Sequence, residues 1–190
     1  MDDGPVVVGI SGASGAPIAL RVLEGLRAAK CPVTLVASRA GLDVVREETG
    51  LDREALSGRA DAFPDDNDLG APIASGSRPS RGMVVVPCSS TTAAKIALGL
   101  GDTLLTRAAH VHLKERRKLI VVPRETPMPT TLLRHLTTLS ELGAVVLVAS
   151  PAYYLKPRTI DDVDRYLAGK VLDHLGIPHG FYRGWKAGEP

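Results

Sequence analysis

The sequence predicts an α/β fold built on a parallel sheet. Five short runs rich in valine, leucine and isoleucine are spaced along the chain: VVVGI at 6–10, PVTLVAS at 32–38, MVVVP at 83–87, KLIVVP at 118–123 and AVVLVAS at 144–150. Short apolar β-branched runs bounded by turn residues read as buried strands. Between them the apolar residues recur at helical spacing, and strands that alternate with helices form a parallel sheet.

Taken in order, VVVGI is broken by SGASGAP, after which Ala19, Val22, Leu23, Leu26 and Ala29 mark a helical stripe. PVTLVAS is followed by AGLDVVREETG, a helix ending at Gly50. Residues 51–82 are different. They contain FPDDNDLGAP and ASGSRPSRG, and they predict a long irregular excursion with one short strand, of the length usually kept for function. MVVVP resumes the sheet and CSSTTAAKIALGLG starts another helix. DTLLTRAAHVHLKERR is helical to its end, with Asp102 placed to cap it. After KLIVVP, TTLLRHLTTLSELG is a helix closed by Gly143, and AVVLVAS is the fifth strand. In TIDDVDRYLAGKVLDHLG, Thr159 caps, Asp161 and Asp162 favour the first turn, and Gly176 ends the helix. Its apolar stripe is Ile160, Val163, Leu167, Val171 and Leu175, with Lys170 at the border.

The chain has 190 residues with no internal repeat and no domain boundary, which fits one domain over 1–190. Net charge is +2, from 23 Lys and Arg against 21 Asp and Glu, so nothing in the overall charge calls for nucleic acid. The cations of KERR (114–117) are local and can complement a helix C-terminus. Two cysteines, Cys31 and Cys88, make neither a disulfide framework nor a zinc site. His110 and His112, two apart on a helix, face different ways, and no metal is expected. MDDGP and the five apolar residues after it have the form of neither a signal peptide nor a membrane span, so a cytoplasmic protein is expected.

In an open parallel sheet, ligands gather beyond the carboxyl ends of the strands. The segments that follow the five strands are SGASG, Ser38-Arg39, PCSSTT, PRETP and SPAYYLKP. Gly12 and Gly15 let backbone approach a ligand, and the helix behind them offers bare N–H groups to a phosphate; the same stretch also makes a plain tight turn. Gly9, Gly12 and Gly15 lack the spacing of a dinucleotide fingerprint. Ser89, Ser90, Thr91 and Thr92 are more hydroxyls than one helix cap needs and suit phosphate oxygens or a flavin edge, although capping plus a turn would also use them. Cys88 reads as a small buried residue rather than a nucleophile. PRE is the most informative segment. Arg124 can hold a phosphate by paired hydrogen bonds, Glu125 can move a proton, and the flanking prolines stiffen the backbone that presents them. Arg107 and Lys114, seven apart on one helix face, could add cations to such a pocket.

With these residues in view the chain resembles a known family. GISGASGA, ASGS (74–77), PCSSTT, RAAHVHLKERRKLIVVPRETP, LGAVVLVASPAYYLKP and TIDDVDRYLAGKVLDHLGI look, in that order, like the UbiX/Pad1 flavin prenyltransferases. The resemblance runs from about residue 5 to Trp185 and is weakest across 50–70. It implies a Rossmann-like (flavodoxin-like) sheet with helices on both faces, a homododecamer, and FMN as cofactor. The implied reaction joins the dimethylallyl group of dimethylallyl phosphate to reduced FMN, at N5 and C6. The product, prenylated FMN, would pass to a UbiD-type decarboxylase.

Carried over by position, the resemblance gives FMN contacts to Gly12, Ala13, Ser14, Ser38, Ser89, Ser90, Thr91, Thr92 and Arg124. Lys114, Arg124, Tyr154 and Lys170 would hold the prenyl phosphate, with Ser14 near it and Arg107 nearby. Glu48 and Glu125 fall at the acid–base positions, with Ser14 and Lys114 beside them as catalytic groups. Trp185 matches an aromatic of the tail 177–190, which closes the site. The family usually has arginine where Lys170 stands, often glycine at the third place of the SSTT loop, and often tyrosine near Pro17-Ile18.

Two other functions compete. One is a non-catalytic FMN-binding or carrier subunit of an aromatic acid decarboxylase complex, which would need none of Glu48, Lys114 and Glu125. The other is an FMN-dependent decarboxylase of the cysteine-decarboxylase type, which would call for an active-site histidine and an asparagine-containing loop that this sequence does not show.

Overall fold

The structure, a computed structural model, describes residues 4–184. Its centre is a five-stranded parallel sheet in the order β2-β1-β3-β4-β5, formed by β1 (Val6–Ile10), β2 (Val33–Ala37), β3 (Gly82–Cys88), β4 (Leu119–Pro123) and β5 (Val145–Val146). That order is the flavodoxin-like form of a doubly wound sheet, with its switch point between β1 and β3.

Every residue of β1 to β4 is buried, as the unbroken apolar runs predict for strands covered on both faces. Successive side chains alternate between two cores. Val6, Val8, Ile10, Val84, Val86, Ile120 and Val122 face a core closed by α1 (Ala16–Ala28), α2 (Arg39–Thr49) and α7 (Ile160–Leu175). Val7, Met83, Val85, Leu119 and Val121 face a second core closed by α4 (Ser90–Ala97), α5 (Leu104–Lys114) and α6 (Thr130–Glu141).

The excursion after α2 is more ordered than expected. It holds a short helix α3 (Arg53–Ser57) started by Asp52, whose Oδ1 accepts the Ala55 N–H at 2.8 Å, and a single 3₁₀ turn at Pro72–Ala74. In place of a strand it lays Asp61 and Ala62 along β2, where Leu35 donates to the Ala62 carbonyl at 2.8 Å. The edge of the sheet is thereby covered.

Four sequence expectations need correction. The fifth strand is two residues long; beyond it the ladder continues only as single bonds, from Leu147 N to Val121 O and from Ala149 N to Pro123 O. It lies at the edge, half-buried, and among the described residues no strand pairs with its far side to hold it extended. Thr103, not Asp102, caps α5, through a reciprocal box with Thr106, while Asp102 is drawn 2.7 Å from the Lys95 Nζ. That helix stops at Lys114: Arg116 turns left-handed (φ 52°) and Arg117 leaves to bond the Gly76 and Arg78 carbonyls, both at 2.6 Å. On α7, Ile160 is 80% exposed, and the buried stripe begins at Asp164 and Leu167. The caps at Thr159 and Gly176 stand as predicted.

Candidate active site

The turns after β1, β2, β3 and β4 meet at the carboxyl edge. Glycine is required there by close approach: a Cβ on Gly12 would lie 2.6 Å from the Ala40 Cβ, and one on Gly41 would lie 2.5 Å from the Ile10 carbonyl oxygen. The start of α2 is thus pressed onto the end of β1. Ser38 caps α2 by accepting the Gly41 N–H at 3.0 Å, and Ser89 caps α4 by accepting the Thr92 N–H at 3.2 Å. Ser11, fully buried, ties the first and third turns together: its hydroxyl donates to Pro87 O at 3.0 Å and accepts from Ser89 N at 2.8 Å.

These turns border a cavity of about 420 Å³. Gly12, Ser38, the Ser89–Thr92 loop and Glu125 line it from the strand ends, and the first turn of α5 closes it opposite. Seven hydroxyl side chains in one cleft form a donor and acceptor set that fits FMN, with its polyol chain and ring-edge heteroatoms.

Arg124 and Glu125, side by side at the end of β4, turn to different places. Glu125 lines the cavity, and its Oε2 accepts the Ser90 hydroxyl at 3.1 Å. Arg124 turns to the first loop, where its Nε donates to Ser14 O at 3.1 Å. Beside it lies Glu48, whose Oε2 accepts the N–H of Gly15 at 3.0 Å and of Ala16 at 2.8 Å. The N-terminus of α1 is therefore not bare, as the sequence suggests; the protein's own carboxylate occupies it. Burial pushes the Glu48 pKa up, but the Ser14 hydroxyl, the two N–H groups and the nearby Arg124 charge outweigh it and hold the carboxyl below the usual range.

Other sequence candidates are not among the residues that line this cavity. Lys114 is at the far end of α5, roughly 15 Å from Leu104 at ten rises of 1.5 Å. There it pairs with Glu115 and packs against Gly76. Arg107 shares its face and donates to Ala74 O at 3.4 Å, so both cations border the ASGS segment. Lys170 lies 3.5 Å from Asp173, which also accepts from the Tyr182 hydroxyl and sits 3.0 Å from His179 Nε2. Tyr154 lies near enough to the same Tyr182 to interact with it electrostatically. The described part of the tail packs here: Phe181 against Gly25, and Tyr182 against Gly169. Trp185 lies outside the described residues.

Three residues of this edge escaped sequence reasoning. Ser11 looked like one more turn serine. Asp66 comes from the irregular excursion, borders the cavity and starts α5: its carbonyl accepts Leu104 N at 2.7 Å and its Oδ1 accepts Leu105 N at 2.8 Å. Lys95 also lines the cavity; its one signal was its place three and four residues after Thr92 and Thr91, on their helix face. Burial pushes the Cys88 thiol up to about 12, which suits the packing role read from sequence.

A family model described as Flavoprotein matches residues 1–170. The flavin prenyltransferase UbiX of Thermoplasma acidophilum is 47% identical over 180 residues, covering 95% of this chain and 99% of that protein. The crystal structure of AnUbiX (PadA1) in complex with FMN and dimethylallyl pyrophosphate superposes with a TM-score of 0.94 at 37% identity, covering 97% of this chain and 98% of that one. A dodecameric FMN-dependent UbiX-like decarboxylase from Escherichia coli O157:H7 gives the same TM-score and identity, covering 97% of this chain and all of that one.

Proposed function

The chain belongs to the UbiX family of flavin prenyltransferases, and from that premise we propose how its own residues carry the reaction. It is an FMN-dependent prenyltransferase that joins a dimethylallyl group to reduced FMN. The donor in this reading is dimethylallyl phosphate. The observation that carries the reading is the split at the end of β4: a carboxyl directed into a hydroxyl-lined cavity, and a guanidinium beside it directed to the loop where a phosphate would lie.

When bound, reduced FMN supplies the electron-rich N5 and the ring carbon C6. Ser38 and the Ser89–Thr92 hydroxyls hold and orient the cofactor. Gly12 and Ala13 let it approach the backbone. Arg124 offsets charge on the departing phosphate. Glu125, steadied by Ser90, gives that phosphate oxygen a proton. Glu48, kept ionised by its surroundings, takes up a proton at ring closure.

Lys114, Arg107, Tyr154 and Lys170 act in this proposal from neighbouring copies of the chain in a dodecamer, and the tail 177–190 closes a neighbour's site. The place of Lys114 at the far end of α5 and of Lys170 beside the tail supports that reading, as does the dodecameric relative. We further propose that a UbiD-type decarboxylase receives the product.

The test is mass spectrometry of the flavin after anaerobic incubation of the protein with reduced FMN and dimethylallyl phosphate. Addition of one five-carbon unit is expected; unchanged FMN would overturn the reading.

A further inference from the structure

The cavity offers FMN many hydroxyls but little positive charge. Each helix start at this edge already carries a protein oxygen: Glu48 on α1, Ser38 on α2, Ser89 on α4, and Thr103 with Asp66 on α5. Two carboxylates, Asp66 and Glu125, line the cavity. Among the described residues that line it, Lys95 is the one cation. A phosphate dianion placed there without a cation would be strongly disfavoured.

We propose that Lys95 is the residue that binds the phosphate of FMN. Glu125 and Ser90 mark the end of the cavity where the ring reacts. Lys95 is five residues further along α4, roughly 7.5 Å at 1.5 Å per residue, on the face of Thr91 and Thr92. The ribityl chain carries the phosphate away from the ring, so the cation stands where the other end of the cofactor must lie. Its pairing with Asp102 does not forbid this. Both side chains are partly exposed (32% and 58%), and such a surface pair contributes little and yields readily to a dianion. An ammonium has three donors, so Lys95 can also keep Asp102 while it meets the phosphate.

The inference rests on the FMN reading above, and its test separates the two. Dissociation constants for FMN and for riboflavin, which lacks the phosphate, are measured by quenching of flavin fluorescence in the wild type, Lys95→Gln and Lys95→Arg. Lys95→Gln is expected to weaken FMN by roughly 10-fold or more, the scale of one hydrogen bond to a charged group. Riboflavin affinity should not change, and Lys95→Arg should bind FMN nearly as the wild type does. Wild-type protein that binds FMN while Lys95→Gln binds it equally well would overturn the role of Lys95 alone. So would an equal loss for both flavins. A wild type that binds neither flavin would overturn the cofactor reading, and this assignment with it.

Discussion

In the proposed reaction Glu125 and Glu48 move the protons, and their surroundings set them apart. Glu125 meets the cavity with a single hydroxyl partner, whereas Glu48 is fixed by two backbone N–H groups. Glu125→Gln is therefore expected to retain FMN and lose prenyl transfer by roughly 10²-fold or more, the usual scale for a general acid, as read from single-turnover rates at saturating substrates. A third carboxyl has the opposite setting. Asp164 is 9% exposed on α7, and burial, then the negative charge of Asp161, push its pKa up to about 6 against the opposing pull of Arg21. A carboxyl raised in the folded state favours folding below its unfolded pKa of 3.8, and that contribution is lost as pH rises through about 6. At neutral pH the cost is about 3 kcal/mol, part of which an asparagine recovers. Asp164→Asn should raise Tm by about 2–6 °C at pH 7.5, with the gain gone near pH 4, as thermal melts across that range would show.

At the scale of elements, the strands and most helices were legible because each rests on a local signal. VVVGI and KLIVVP are buried on both faces and read so; Thr159 and Gly176 are caps with known chemistry. Two of the misreadings, the cap and the end of α5, trace to tertiary contact. Asp102 is a sound cap by type, but Lys95, seven residues earlier, draws it off and Thr103 takes the place. The site was half legible for the same reason. SSTT and PRE advertise their chemistry, whereas the closure of the cavity by Asp66 depends on the path of a loop without periodicity. Asp66→Ala removes a side-chain acceptor from the start of α5 and should cost about 1 kcal/mol, as for other helix caps, or about 2–4 °C in Tm. FMN affinity should fall too, since α5 forms the far wall of the cavity; an unchanged dissociation constant would show that the wall holds without it.

Over the whole molecule, two candidates for the prenyl phosphate, Lys114 and Lys170, stand apart from the cavity of their own chain. Gly12, Ser38 and the Ser89–Thr92 loop ring one cavity, while Lys114 stands roughly 15 Å down α5 and Lys170 lies beside the tail. If sites are completed between copies, Lys114→Ala and Glu125→Gln proteins, each inactive alone, should regain a fraction of wild-type turnover when dissociated together and reassembled. No gain on mixing would place the whole site in one chain. Sites completed between copies would also make turnover depend on how crowded the chains are. A dilute solution should keep its yellow colour, because each protomer holds its own flavin, yet turnover per chain should decline as copies drift apart. Binding would then follow first-order behaviour in protein and catalysis a steeper law, so a stock that looks fully loaded by absorbance could still be idle.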